Sequence, residues 1–440
     1  MTRQPTFGDR SMFRSEQTDA ELTPALVTAP RRRLWDWAID LFLILWLLSA
    51  TNALIPLLVL GDAPVMTAEQ RSLLRTIFIL PPVAMAPFLL LSRYDKIIWL
   101  LLRNPILILL LLWVWSSAFW SFDIDVTLRR ALSLTVFTLL ACYLALRHNL
   151  DSILKIMAWI CLALLVVNLL FILFSPSLST MPDGRGLRGV YTHKNGLGEF
   201  LILAIALLPP AIKLRLVSPA LGWTGTFVAL LLLIPVYSAT AIVVAFFVLA
   251  TYAILGVWKL PFKVATAVTF LGMSILCFVA LGITVNLDLI FEALGRDTTF
   301  TGRTELWAYA WKMIQQRWVL GYGYGAFWEV EAFSRYAADS LLWIIPNAHS
   351  GYLDLLLDLG VVGLLLFGGV LAVMINRAFV ALKSSSFEIG SLVLVLLVAY
   401  NLRAIVESNL LGQNSLIWVL IVAFTVAMTP GLAAIKDSQR

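Results

Sequence analysis

Residues 286–350 read NLDLIFEALGRDTTFTGRTELWAYAWKMIQQRWVLGYGYGAFWEVEAFSRYAADSLLWIIPNAHS. This stretch is the long hydrophilic interruption in a chain otherwise apolar enough to sit in lipid. It opens on Gly295-Arg296 and Thr301-Gly302-Arg303. It runs through a tryptophan-rich segment and the glycine turn Gly321-Tyr322-Gly323-Tyr324-Gly325, and closes on Asn347-Ala348-His349-Ser350. Chemistry needs polar groups held out of lipid, so this segment and whatever faces it are where chemistry is expected.

The flanking composition decides the class. Of 440 residues, 60% are hydrophobic and only 13% charged, and 16 Trp suit interfacial belts. The apolar segments are continuous and do not alternate, which excludes an outer-membrane barrel. The expected fold is an all-α polytopic membrane protein with about twelve transmembrane helices and a large periplasmic loop containing short helices. The spans fall near 38–60, 72–92, 98–120, 130–147, 152–174, 196–215, 221–236, 238–257, 264–284, 351–376, 387–406 and 412–432. The division within 221–257 rests on Pro235 and Tyr237-Ser238, which read as a tight turn. The expected organisation is a cytoplasmic tail over 1–34, nine helices over 35–284, the loop over 285–350, three helices over 351–432 and a tail over 433–440.

The net charge of +6 is that of a membrane protein with basic cytoplasmic loops, not of a nucleic-acid binder. Arg31-Arg32-Arg33 precede the first apolar run, which reads as a retained span and not as a cleaved leader. Arg93 and Lys96, Arg147 and Lys155, Lys213 and Arg215, Lys259 and Lys263, and Arg377 and Lys383 fall on the same side, which the positive-inside rule makes cytoplasmic. The other side still holds Arg129, Arg130, Arg185, Arg188, Lys194, Arg296, Arg303, Lys312, Arg317 and Arg335, charges that topology does not require. Its segments 175–195 and 285–350 are also too long for simple connectors.

Within the loop, Trp307, Trp311, Ile314 and Trp318 recur at helical spacing, with Thr301 or Thr304 to cap the helix and Glu305 in its first turn. The expectation is an amphipathic helix lying on the outer membrane surface, Trp face down; simple anchoring would give the same pattern. Arg is the natural bidentate partner of a diphosphate, but arginines at a membrane surface also bind lipid headgroups. His193 and His349 stand at the mouths of the sixth and tenth spans. Each can be a general base or a histidine satisfied at a helix start. Asp123-Ile124-Asp125 has the spacing of a metal-binding pair, but these acids precede a span, where a helix N-terminus favours them. Glu407, Asn401 and Arg403 near the end of the eleventh span are weaker pocket-lining candidates. Cys142, Cys161 and Cys277 fall in apolar segments and read as buried small hydrophobes. No cofactor or metal is expected.

Four short motifs carry a resemblance. They are Arg188-Gly189-Val190-Tyr191-Thr192-His193-Lys194-Asn195-Gly196; Thr301-Gly302-Arg303 with Trp307; the turn from Gly321 to Gly325; and His349-Ser350-Gly351-Tyr352-Leu353 with Gly360-Val361-Val362-Gly363. In these motifs and their order the chain resembles the O-antigen ligase and polymerase superfamily, and within it the Wzy-type exopolysaccharide polymerases. The resemblance implies a metal-independent, inverting glycosyltransferase of the bacterial inner membrane, with its active site facing the periplasm. It polymerises undecaprenyl-diphosphate-linked oligosaccharide repeat units into exopolysaccharide or O-antigen, and its implied partners include membrane lipids, a flippase and a chain-length regulator. By the same resemblance Arg303 binds the diphosphate, His349 is the base, and Arg188, with less specificity, binds donor. Arg185, Lys194 and Arg296 are further basic candidates. Two departures stand out: Ala239 follows Ser238 where the family often has a basic residue, and Ser350 stands where many members have Asn. Ligation of glycan to a lipid A core is the alternative within the class. A transporter or flippase of lipid-linked sugars is the alternative outside it, although transporters place polar groups near the bilayer midplane. An assembly partner without catalysis is a third reading, which Ala239 keeps open.

Overall fold

The computed structural model describes residues 34–54, 68–257, 303–330, 347–384, 386–412 and 415–437, with single residues at 259, 261, 264 and 333. Expectations at other positions, among them most of the ninth span, Arg296, Cys277 and the apolar stretch 341–345, lie outside the described residues. The chain divides into two compact units, Met1–Phe42 and Leu43–Arg440. In the first, the described residues are the opening turns of α1, Leu34–Ala50. Everything that follows concerns the second.

Its helices, in order, are α2 Ala68–Leu91, α3 Tyr94–Leu102, α4 Pro105–Ser116, α5 Ile124–Arg147, α6 Leu150–Phe174, α7 Lys194–Lys213, α8 Pro219–Val236, α9 Ala239–Val257, α10 Arg303–Gln316, α11 Gly351–Leu382, α12 Phe387–Val406 and α13 Leu416–Ala427. Among the described residues there is no strand, only an isolated antiparallel bridge between Thr180 and Leu187. Among the described residues, seven helices are long and apolar enough to cross a membrane: α5 to α9, α11 and α12. An eighth span results if Thr76–Leu91 and Tyr94–Leu102, bent by 93° to each other, count as one.

Local chemistry sets the boundaries. The expected span at 98–120 is divided, because Pro105 lacks an N–H and disfavours helical geometry at Asn104 before it. The turn expected at 235–238 is present: Tyr237 takes a left-handed φ of 55°, and the Ser238 hydroxyl accepts from Ala241 N at 3.4 Å. Asp123 caps α5 by accepting from Val126 N at 3.0 Å, the helix-start role open to it in the Asp-x-Asp pair. Helix α13 is buried at every position from Leu416 to Val426, as suits a helix apolar on all sides. By contrast, α8 and α9 leave Phe227, Leu231, Phe246 and Phe247 exposed, faces suited to lipid.

The glycine turn is locked into a break in α11. Gly360 has φ 64° and ψ −168°, which is not helical. Val361 N donates to Trp318 O at 2.8 Å, where a regular helix would use Leu357 O. The released carbonyls of Leu357 and Asp358 accept from Tyr322 N at 2.7 Å and Gly323 N at 3.0 Å. Segments about α4 and α5 close around the same turn. Phe122 N donates to Tyr322 O, Tyr324 N to the Ser117 hydroxyl, and Arg130 Nη1 to Gly325 O at 2.7 Å. Tyr324 donates its hydroxyl to Leu411 O. Gly323, at φ 102°, lies against Ser121 with no space for a Cβ, which is why a glycine is needed there.

Helix α10 differs from the expected Trp-faced helix. Leu306, Ala310 and Ile314 are its buried residues, and the last two join Tyr322, Phe327 and Leu357 in one core cluster. Each large side chain buried there stabilises by about 1.5–3 kcal/mol. The Trp stripe is divided by role. Ile314 is in the core, Trp307 donates Nε1 to Ala348 O at 3.0 Å, and Trp311 and Trp318 stay more than half exposed. Only those last two are left to meet a bilayer surface.

Candidate functional site

The site gathers on Val406 and Glu407, where α12 ends. Asn195, in the first turn of α7, donates Nδ2 to Glu407 Oε1 at 2.6 Å and accepts from the Ser238 hydroxyl at 3.2 Å. One amide thus ties the start of α7 to the start of α9 and the end of α12. The Glu407 carbonyl accepts from Gly351 N, the first N–H of α11, at 3.0 Å. Arg303, the first residue of α10, donates Nη1 to Val406 O at 3.3 Å. Four helix starts and one helix end therefore converge, and helix starts carry the unpaired N–H groups that favour anions. The far ends of α7, α9 and α12 hold Lys213, Lys259 and Glu388 in a separate cluster, with Glu388 bridging the two lysines at 3.6 and 3.1 Å.

The His349 segment is fixed from both sides. Ala348 N donates to Asp354 Oδ1 at 3.0 Å, and Trp328 Nε1 donates to the same oxygen at 2.7 Å. On its other face the Ala348 carbonyl accepts from Trp307. His349 N donates to Asn347 Oδ1 at 3.0 Å, and His349 takes φ 50°, which is rare without glycine. The imidazole is half-buried, and that burial holds its pKa below the ordinary 6.5, with the charges of Arg303 and then His193 pushing the same way. His193 is also lowered, by burial first and Lys194 second, against an opposing pull from Asp183. It caps α7 through Nδ1, which accepts from Asn195 N at 3.2 Å. Both histidines are thus biased toward neutral imidazole, and the charges of Arg303 and His193 both reach His349.

The other basic candidates separate by environment. Arg188 is 8% exposed and donates Nε to Leu178 O at 2.9 Å, while its N–H goes to Ser179 O at 2.7 Å. It holds the 175–188 loop together. Arg185 is exposed on that loop, its N–H bonded to Asp183. Lys194 reaches Arg185 O at 3.0 Å and sits 5.8 Å from the Tyr237 ring centroid. Arg303 and Lys194 thus stand at helix starts that meet the end of α12, and Lys194 reaches Arg185 on the adjoining loop.

Two carboxylates matter more here than their sequence signal indicated. Glu199 lies one turn into α7, and its Oε1 is 2.6 Å from Arg403 Nη1. Arg403 is 5% exposed, and this contact is too poorly aligned to count as a hydrogen bond, so the pair is held by charge. Burial pushes the Glu407 carboxyl up, and the neighbouring Arg403 and Arg303 counter that shift. The cluster therefore balances two arginines, 303 and 403, with two glutamates, 199 and 407. Sequence reasoning passed over Glu199, although a lone carboxylate inside an apolar span is a signal that marks function by default.

This arrangement defines a multi-pass helical membrane protein with a polar, charge-balanced site at one set of helix ends. A family model described as O-antigen ligase matches residues 224–368, a range that includes Ser238, Arg303, His349 and Gly360 but neither Asn195 nor Glu407. The chain is also similar to "Exopolysaccharide production protein ExoQ" of Rhizobium meliloti (strain 1021), at 30% identity over 204 residues. That alignment covers 42% of this chain and 44% of the relative, so the chain spans less than half of the curated protein it matches. Together these findings bear out the resemblance to the O-antigen ligase and polymerase superfamily.

Proposed function

We propose that this protein polymerises undecaprenyl-diphosphate-linked oligosaccharide repeat units into exopolysaccharide or O-antigen at the periplasmic face of the bacterial inner membrane. The observation that carries the reading is the juxtaposition of Arg303 with a His349 held toward its neutral form. Glycosyl transfer from a diphosphate is helped by charge stabilisation for the departing anion and by a base for the attacking hydroxyl. His349 accepts the proton of an acceptor-sugar hydroxyl as that oxygen bonds to the anomeric carbon of the donor. The bond from that carbon to the diphosphate breaks, and undecaprenyl diphosphate leaves with the electron pair. Attack in one step inverts the anomeric centre, and no metal or cofactor is invoked. Arg303 stabilises the leaving diphosphate, with Lys194 and Arg185 around the start of α7, Arg188 bracing their loop, and Arg296 as a further donor ligand. The Lys213, Lys259 and Glu388 cluster at the far helix ends supports an orientation with the site outward. A flippase and a chain-length regulator are compatible partners for this reading.

The family description favours a second reading, in which the same transfer delivers finished glycan to a lipid A core. Deletion in the native host, with lipid-linked glycans sized by gel, separates the two. A polymerase defect leaves single repeat units, a ligase defect leaves full-length chains on the carrier lipid, and a flippase defect leaves units on the cytoplasmic face. His349→Ala and Arg303→Ala each reproduce the deletion phenotype; normal polymer from both at normal expression sinks the assignment.

A further inference from the structure

Two cavities adjoin the proposed transfer site, the first with a mixed and largely apolar lining and the second mainly polar, and neither is accounted for by the diphosphate or the base. One, of about 270 Å³, is lined by Thr51, Glu199, Phe200, Ser408, Asn409 and Ser415, among others. The other, of about 230 Å³, is lined by Tyr324, Trp328, Asn347, Gly351, Asp354 and Asp358, among others. Ser408 and Gly412 line both, so the segment after α12 forms their common wall. That segment begins at Glu407, and the second cavity includes Asn347 and Gly351, which flank His349 in the chain. The cavities therefore adjoin the transfer site directly.

Asn409 gives the first cavity a ligand-directed feature. Both of its side-chain polar atoms are buried and have no hydrogen-bond partner. A buried amide left unpaired costs about 1–3 kcal/mol per group, so such an amide stands ready for something that enters. Water alone could satisfy it, but the lining is not that of a simple water pocket. The first cavity sets Phe200, Leu203, Leu416 and Ile417 beside Glu199, Ser408, Asn409 and Ser415, and the second sets Tyr324 and Trp328 beside Asn347, Asp354 and Asp358. A sugar ring has that same character: an apolar face, and a rim of hydroxyls that donate to carboxylates and exchange donors and acceptors with amides. Each cavity falls just below the range of about 300–1,000 Å³ for small-molecule sites, which is room for one ring and not for an oligosaccharide.

We propose that these cavities form a saccharide subsite for two successive rings of the acceptor glycan, with Asn409 as its principal recognition residue. This rests on the glycosyl-transfer reading and deepens it. The acceptor is assigned because Asn347 and Gly351 bracket the base that must receive the acceptor's proton. The subsite disfavours anionic sugars: Glu199, Asp354 and Asp358 line it, while Arg403 is taken up by Glu199 and Arg130 by Glu329 at 2.5 Å.

The test uses the full chain in lipid nanodiscs. The probe is the repeat-unit oligosaccharide released from the host's own carrier lipid by mild acid, with undecaprenyl diphosphate as a separate probe. Affinity is read by calorimetry, and thermal unfolding confirms that each variant is folded. Wild type binds both probes. Asn409→Leu weakens the oligosaccharide about tenfold, through the loss of its amide hydrogen bonds, and leaves undecaprenyl diphosphate unchanged. Arg303→Gln gives the opposite pattern, and Asn409→Gln, which keeps the amide, retains most of the oligosaccharide affinity. Equal oligosaccharide binding by wild type and folded Asn409→Leu overturns the subsite, as does the absence of oligosaccharide binding to wild type. The underlying reading fails separately: normal polymer from a His349→Ala strain removes glycosyl transfer by this residue without bearing on whether Asn409 binds sugar.

Discussion

The side-chain amide of Asn195 donates to the carboxylate of Glu407 across 2.6 Å, joining residues 212 positions apart in the chain. Because Asn195 also accepts from Ser238, and the Glu407 carbonyl accepts from Gly351, the starts of α7, α9 and α11 share one anchor at the end of α12. Removing the amide leaves a half-buried carboxylate short of its donor. Asn195→Ala is expected to cost about 1.5–3 kcal/mol, the range for hydrogen bonds to charged groups. Thermal unfolding in detergent measures that loss. Polymer yield in a complemented deletion strain should fall with it, because the helix starts no longer share a fixed geometry.

If Arg303 holds the donor diphosphate, Glu407 competes with it. Its charge and that of Glu199 balance Arg303 and Arg403 when no donor is bound, so an incoming diphosphate must contend with both acids. Glu407→Gln keeps an acceptor for Asn195 and removes one negative charge. The expected outcome is tighter donor binding, on the order of tenfold if the interaction is worth about 1.4 kcal/mol in this partly buried setting. The gain should shrink as pH falls, because burial already pushes the Glu407 carboxyl up and it protonates in the wild type. Titration with undecaprenyl diphosphate at two pH values reads this; equal affinity of variant and wild type at both would exclude competition.

With His349 as the base, its protonation sets the acid limb of the rate. Its pKa lies below 6.5 through burial, then Arg303, then His193, so the base form persists to lower pH than in a free imidazole. The same shift affects stability: below 6.5 the unfolded chain binds more protons than the folded one. This group's contribution is therefore complete above 6.5 and lost as pH falls through the window beneath it. His193→Asn keeps a capping acceptor at the start of α7 and removes one positive neighbour. The acid limb of kcat at saturating donor should then move to higher pH. A profile that superimposes on wild type would show that the two imidazoles do not communicate.

The helical class and the turn at 235–238 were legible because each is carried by local pattern: apolar runs, and a Pro and Tyr-Ser break. The division at Asn104 and Pro105 was also encoded locally, but an apolar run on both sides of the proline masked it. Asn195 and Glu199 stand in a different position. Their roles depend on partners more than 200 residues away, and a single chain read in order gives no account of which helix ends meet. The face of α10 was misjudged for a related reason. Its tryptophans share a spacing, but Leu306 and Ala310 meet α11 and the glycine turn, a contact that exists only after folding.

Gly360 tests the interlock that holds α10 and α11 together. A Cβ there would press on the backbone of Val319 and Leu320, and φ 64° with ψ −168° lies outside the regions open to other residues. Gly360→Ala carries about 1–3 kcal/mol of backbone strain before any clash is counted. Relief requires the helix to regain its bond from Val361 to Leu357, which evicts Tyr322. The expected result is a lower unfolding temperature together with protease cleavage near 317–326. An unchanged melting temperature would mean that the turn and the helix break are not coupled.

Ala239 is exposed at the first position of α9, next to the Ser238 that bonds Asn195. A basic side chain there is opposed by the helix dipole, at about 0.3–1 kcal/mol, because cations are disfavoured at helix starts. The same position brings the charge to the surface shared by Lys194 and Arg185. Ala239→Lys should therefore lower the unfolding temperature slightly and lower KM for the lipid-linked donor, with kcat little changed. The two effects have opposite signs and separate readouts, so neither can hide the other. If KM does not fall in the folded variant, the donor diphosphate does not approach the start of α9, and the basic residue missing from this chain has no bearing on its activity.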